Sequence, residues 1–227
     1  MIRVLTYNIH HGEGAGGISL TKIAAVIRKS SPDLVALQEV DMFMPRSFFA
    51  NQARRLAKML GLQYVFGRAA SWLIIMRYGN AVLLRGTILQ HNNLVLTKGR
   101  ECRALLRTRI KTGQCPAFHF LNTHLGLSSD ERRAQADKIA QVVSVLKGPV
   151  VLAGDFNAGP EAEEFKSLNC LLNFSALTNP TYPSHEPVCF LDNILVSRHW
   201  SVLRAATVKS LASDHLPLIV DLEYSSF

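Results

Sequence analysis

Apolar residues follow two rhythms along this chain. Unbroken or alternating apolar runs, the pattern of β-strands, occur at Ile2–Tyr7, Leu34–Gln38, Tyr64–Gly67, Ala81–Leu84, Leu89–Leu96, Ala104–Ile110, Ala117–Asn122, Val150–Ala153, Phe190–Val196, Ser201–Val208 and Leu216–Leu222. Elsewhere the apolar positions recur every three to four residues. Leu20, Ile23, Ala24 and Ile27 predict a helix over Leu20–Ser30 with Ser19 as its N-cap. Ala53, Leu56, Ala57 and Leu60 predict another over Asn51–Leu60, with Arg54, Arg55 and Lys58 outward and Gly61 as its stop. Ser128-x-x-Glu131 reads as a capping box for a helix running to Lys147. Pro160 precedes a short helical stretch at Glu161–Leu168.

Helices flank groups of strands in both halves, and a run of strands fills the middle. A parallel-only alternation of strand and helix does not accommodate that middle. Two packed sheets with helices outside do. The 227 residues contain no repeat and no Pro/Gly/Ser linker, so one domain spanning 1–227 is the economical expectation. A hydrophobic content of 48% supports a substantial core and excludes a disordered chain.

Net charge is +8, which favours anionic partners such as phosphate esters, nucleic acid or acidic lipid without selecting one. Part of it sits in Lys98, Arg100, Arg103, Arg107, Arg109 and Lys111. There the alternation places Arg103, Arg107 and Arg109 on one face, either a solvated strand surface or a phosphate-contacting patch. Cys102, Cys115, Cys170 and Cys189 are widely spaced, as expected of reduced thiols rather than a zinc site or a disulfide framework. No signal-peptide pattern or membrane-length apolar run is present, so the cytoplasm is the expected location.

The chemistry is concentrated where strands end. Val150-Val151-Leu152-Ala153-Gly154 runs into Asp155-Phe156-Asn157, which puts a carboxylate and an amide on one side of an extended chain. Such a pair either holds a water or a phosphate, or forms an Asx turn. Similar polar endings occur at Asn8-Ile9-His10, Gln38-Glu39, Asn122-Thr123-His124 and Ser213-Asp214-His215, and Asp192 interrupts an apolar strand. An unpaired acid in that setting is costly to bury. If these ends converge, two carboxylates about 4 Å apart repel by about 4 kcal/mol at an effective dielectric near 20, so the cluster requires a cation or protons. Oxygen-rich donors without clustered cysteines favour Mg²⁺ or Mn²⁺ over zinc.

The ordered set Tyr7-Asn8, Gln38-Glu39-Val40, Asn80-Ala81-Val82-Leu83, Thr123-His124-Leu125, Gly154-Asp155-Phe156-Asn157, Leu191-Asp192-Asn193-Ile194 and Ser213-Asp214-His215 resembles the endonuclease/exonuclease/phosphatase superfamily, which includes deoxyribonuclease I. The resemblance runs from about residue 2 to 222. It implies an α/β fold of the deoxyribonuclease I type: a four-layer α/β/β/α sandwich of two packed mixed β-sheets with outer helices. It also implies a Mg²⁺-dependent phosphoesterase, most simply a phosphodiesterase, in which water attacks phosphorus in line. Glu39 is then the main metal ligand, with Asn8 and Asp214. Asp155 activates the water, Asn157 holds water or phosphate, and Asp192 orients His215. His124 acts as general acid or as a donor to the phosphate. The competing expectation is a binding module that kept the fold and lost turnover.

This sequence departs from the pattern in places. Some nuclease relatives carry an acid where this chain has His10, which counts against a second ion. His10, His11, Arg46 and Asn80 are candidates to meet substrate, or else are loop and surface residues. The run Ser71-Trp72-Leu73-Ile74-Ile75-Met76 is either buried or an exposed rim touching lipid or a partner. The substrate is a phosphodiester of nucleic acid, lipid or a small molecule, and its class stays open at this level.

Overall fold

The structure, a computed structural model, describes residues 1–72, 75–97, 102–175 and 180–225. From the N-terminus it runs β1 (Ile2–Asn8), β2 (Glu13–Gly14), β3 (Gly17–Ile18), α1 (Leu20–Ser30), β4 (Leu34–Met42), α2 (Gln52–Leu60), β5 (Gln63–Trp72) and β6 (Met76–Leu84). It continues with β7 (Thr87–Thr97), β8 (Arg103–Lys111), β9 (Phe118–His124), α3 (Ser129–Ser144), β10 (Val150–Asp155) and α4 (Lys166–Asn169). The last elements are β11 (Asn173–Phe174), β12 (Asp192–Val196), β13 (Trp200–Thr207) and β14 (Leu218–Tyr224).

The strands form two six-stranded mixed sheets, ordered β13-β14-β1-β4-β6-β5 and β11-β12-β10-β9-β8-β7. Each has one parallel pair at its centre, β1 with β4 and β9 with β10. The alternation of side chains divides the apolar residues into three cores. Ile2, Val4, Leu34 and Ala36 face Val151, Ala153 and Phe120 between the sheets. Leu5, Tyr7, Val35 and Leu37 pack under α1 and α2. Leu121, Leu152 and Leu195 pack under α3 and α4. The expected four-layer sandwich is therefore present.

Helix starts follow the expected chemistry. The side chains of Ser19, Asn51 and Ser128 each accept a backbone N–H from the first turn of α1, α2 and α3. Only half of the Ser128–Glu131 capping box forms: the Glu131 carboxylate accepts from Thr97 and Gln135 instead. The helix expected to reach Lys147 closes at Ser144. The strands expected at Tyr64–Gly67 and Ala81–Leu84 are longer, and they meet in a hairpin where Trp72 pairs with Met76. Trp72 and Ile75 are 50% and 57% exposed, so the described part of the 71–76 run is a rim and not a core strand. Leu73 and Ile74, and Lys98 and Arg100 of the basic patch, lie outside the described residues. Cys115, Cys170 and Cys189 are free thiols, and no described helix is long and apolar enough to cross a membrane.

A polar seam joins the sheets. Gln38 Nε2 donates to Asn122 Oδ1 at 2.8 Å and to Thr6 Oγ1 at 3.1 Å. Asn122 Nδ2 donates to the carbonyls of Leu37 and Ala81. Asn80 Nδ2 adds a bond to the Ala104 carbonyl.

Candidate active site

Strand register brings the polar ends together. On the parallel pairs the site lies at the C-terminal ends, where Asn8 is level with Gln38 and Asp155 with His124. β12 and β14 run antiparallel to these, so their beginnings arrive at the same end. Asp155 pairs with Asp192, and His215 precedes β14, whose Leu218 pairs with Thr6. Two local devices complete the placement. The pairing of β4 with β6 is interrupted between Leu37 and Val40, and Glu39 takes a left-handed backbone with φ 57°, which turns its carboxylate out of the sheet. Gly154 lies so close to β9 that a Cβ there would stand 2.1 Å from the Thr123 carbonyl oxygen, so only glycine permits this approach.

The result is a cavity of about 710 Å³ whose wall includes Asn8, Glu39, Arg46, His124, Asp155, Asn157, Asp214 and His215. Asp155 is its hub. Its Oδ2 accepts from Asn8 Nδ2 at 2.9 Å and its Oδ1 from the Asn157 N–H at 2.9 Å. The same Oδ2 lies 3.5 Å from His124 Nε2 and 3.7 Å from His215 Nε2. Asn8 Nδ2 also donates to Glu39 Oε1 at 3.1 Å. Asn157, itself left-handed at φ 52°, donates its amide to the Leu125 carbonyl, which fixes the amide plane at the wall. His215 Nδ1 is 2.8 Å from Asp192 Oδ2, and Tyr182 lies against the His215 ring at 4.9 Å.

Electrostatics separate the two histidines. Burial pushes His124 down to about 3, with help from Arg103 and His215 and against the pull of Asp155, so its imidazole is neutral. Burial also opposes charge on His215, but the charge and hydrogen bond of Asp192, with Asp155 and Asp214, outweigh it and lift His215 to about 10. The His215 proton therefore stabilises the fold fully below the ordinary value of 6.5, and that stability is lost as pH rises through about 10. Denaturant unfolding between about pH 6 and 10 is expected to show this loss, and Asp192→Asn to flatten it. An unchanged slope in that variant would show that Asp192 does not hold the proton.

Among the expected substrate residues, Arg46 reaches the cavity. Asp41, fully buried, grips it through two hydrogen bonds of 2.8 Å, and the guanidinium lies over the Tyr78 ring. His10 is not on the wall, and its Nδ1 lies 3.7 Å from Asp214 Oδ2. Asn80 is a correction: it is 2% exposed, spends its amide on the inter-sheet bond to Ala104 and does not reach the cavity. The basic face also divides. Arg103 is buried on the cavity wall, whereas Arg109 is exposed. Tyr78, Tyr182 and Asp41 are site residues that the sequence patterns did not single out, whereas the alternation marks Arg103 as a candidate phosphate contact.

The donor set fits a divalent cation. Glu39, Asp155 and Asp214 face one cavity, with Arg46 already committed to Asp41. Among the described residues, Asp192 Oδ1 and His124 Nδ1 are buried without a hydrogen-bond partner.

Known proteins resemble this chain in sequence and in fold. An uncharacterized protein of Caenorhabditis elegans, F14F9.5, is 28% identical over 172 residues, covering 74% of this chain. The chain spans less than half of that relative's length, 46%. The mannosyl-6-phosphatase Bt3783 of Bacteroides thetaiotaomicron superposes with a TM-score of 0.82 at 18% identity, covering 99% of this chain and 100% of that one. The D. rerio TDP2 complexed with a single-strand DNA product superposes with a TM-score of 0.74 at 16% identity, covering 98% of each chain. At such identities the two structures speak for the fold alone. The family model matches residues 5–215, which carry every wall residue named above, and the chain belongs to the endonuclease/exonuclease/phosphatase family.

Proposed function

We propose that this chain is a Mg²⁺-dependent phosphoesterase, most simply a phosphodiesterase, with Mn²⁺ as an alternative ion. The observation that carries this reading is the position of Asp155. It is a buried carboxylate held by Asn8 and Asn157, and it lies within 3.7 Å of both histidines in a cavity with two arginines on its wall. Glu39, Asn8 and Asp214 would hold the ion, which when bound supplies charge neutralisation at the phosphoryl oxygens.

The chain's own residues do the rest. Asp155 orients a water and takes its proton. The fixed amide of Asn157 positions that water or a phosphoryl oxygen. His124, being neutral, acts by donating an N–H to phosphate oxygen rather than by delivering a proton from an imidazolium. His215, held protonated by Asp192, stabilises the developing charge and can protonate the leaving oxygen. Arg46 and Arg103 face the ester from the rim and the wall.

Exposed apolar groups favour a lipid or small-molecule diester. Phe48 and Phe49, two and three residues after Arg46, are 75% and 59% exposed, and Trp72 lines the cavity. Net charge +8 favours nucleic acid. An aryl phosphodiester, lipid phosphodiesters and plasmid DNA assayed in parallel, with Mg²⁺ and with chelator, test the proposal. Mg²⁺-restored cleavage is expected, with Glu39→Gln shifting the Mg²⁺ requirement upward about 10–100-fold before it lowers the maximal rate. No hydrolysis of any ester with Mg²⁺ or Mn²⁺ would leave the chain a binding module.

A further inference from the structure

Two histidines follow Asn8 and are absorbed by neither the water-activating nor the phosphate-binding set. One ring nitrogen of His10, one of His11 and a carboxylate oxygen of Glu39 lie within 4.8 Å of one another. Donors on opposite sides of one divalent ion stand about 4–4.4 Å apart, so small side-chain movements close this group around an ion. Asp214 Oδ2 approaches from the cavity side, 3.7 Å from His10 Nδ1.

His11 carries the stronger signal. It is 7% exposed, and its Nε2 is 2.9 Å from Glu13 Oε2. Beside a carboxylate, Nε2 keeps the proton, which leaves the lone pair on Nδ1. That Nδ1 is buried and has no hydrogen-bond partner among the described residues. A buried acceptor nitrogen without a partner calls for an explanation. A histidine with one ring nitrogen held by a carboxylate and the other bare is how metal-binding histidines are prepared.

We propose that His10, His11 and Glu39 form a cation position of their own, taking a transition-metal ion of the Mn²⁺ or Zn²⁺ class in preference to Mg²⁺. Mg²⁺ requires a near-octahedral oxygen shell and sheds water reluctantly, whereas imidazole suits the transition ions. The position adjoins the Mg²⁺ site proposed above and shares Glu39 with it; to that extent it rests on that reading. The position where some relatives carry an acid is thereby not lost to metal binding but changed in its preference.

The test uses the whole chain freed of metal and titrated with Mn²⁺. Electron spin-echo modulation is expected to show directly bound imidazole nitrogen. Calorimetry is expected to show Zn²⁺ and Mn²⁺ binding at least tenfold tighter than Mg²⁺. His10→Ala should remove part of the nitrogen signal and weaken Mn²⁺ binding about 10–100-fold with Mg²⁺ affinity unchanged. Should buried His11 not tolerate replacement, Glu13→Gln addresses it from the exposed side and should also weaken Mn²⁺ binding about tenfold. Bound Mn²⁺ without nitrogen modulation, or Mn²⁺ affinity indifferent to His10→Ala, would overturn the proposal. Ester hydrolysis that persists in that case leaves the phosphoesterase reading intact. Nitrogen modulation without any hydrolysis would instead support this metal position while removing that reading.

Discussion

Replacing Asp155 by asparagine is expected to slow ester hydrolysis by about 10²–10⁴-fold, or roughly 3–5 kcal/mol of barrier. The substitution keeps the volume and removes the charge. It also reverses the hydrogen-bond logic of the site. Both Asp155 oxygens accept, one from the Asn8 amide and one from the Asn157 N–H, so an asparagine NH₂ must face a donor whichever way it turns. Asn8 would then be freed from one side and Glu39 would lose its fixed neighbour. The loss should fall on kcat, because the water-activating group acts only as the reaction proceeds. Steady-state kinetics of wild type and variant on an aryl phosphodiester at saturating Mg²⁺ measure it. Retention of more than about a tenth of wild-type kcat would exclude Asp155 as the base. Loss confined to KM would make it a binding residue.

Much of this site was legible because its chemistry breaks a pattern. A carboxylate or amide after an apolar run costs free energy unless something at the strand end uses it, and Asn8, Glu39, His124, Asp155 and His215 all reach one cavity for that reason. What the patterns could not show is distance across the molecule. Asn80 breaks its strand just as Asn8 does, yet it faces the other sheet and binds the Ala104 carbonyl. Tyr78 and Tyr182 look like ordinary core aromatics until folding sets them on the cavity wall. Asp41 is marked only by its full burial, which is tolerable because Arg46 neutralises it with two hydrogen bonds. The helices were read well because caps are local. The outer parts of β5 and β6 were not, because pairing with each other extends them beyond the apolar stretch that marks the start of β5 and the end of β6.

Gln38 and Asn122 are the instructive pair, and replacing Asn122 by alanine is expected to have the largest effect on stability. Both sit one residue from a site group or within two of one, and in sequence they look like part of the chemistry. In the fold they are the seam. Asn122 lends its amide to two carbonyls of the opposite sheet and accepts from Gln38, all fully buried. Alanine takes the Asn122 donor from the Leu37 and Ala81 carbonyls and the acceptor from one of the two Gln38 Nε2 bonds, leaving that amide only Thr6 Oγ1. Each buried group so deprived costs about 1–3 kcal/mol, so a loss of about 3–5 kcal/mol is expected. For a chain of this size that is a fall in Tm of about 6–20 °C, read by calorimetry. Thr6→Val, which removes only the end of the seam, should cost about a third of that. Leu37 directly precedes the Glu39 bulge and Asn122 stands two residues before His124, so the sheets that carry the two halves of the site are also tied together here. Turnover of Asn122→Ala, measured well below its Tm, should therefore fall as well. A variant that melts early but turns over normally would mean that packing of the apolar residues between the sheets, without this seam, suffices to hold Glu39 opposite Asp155.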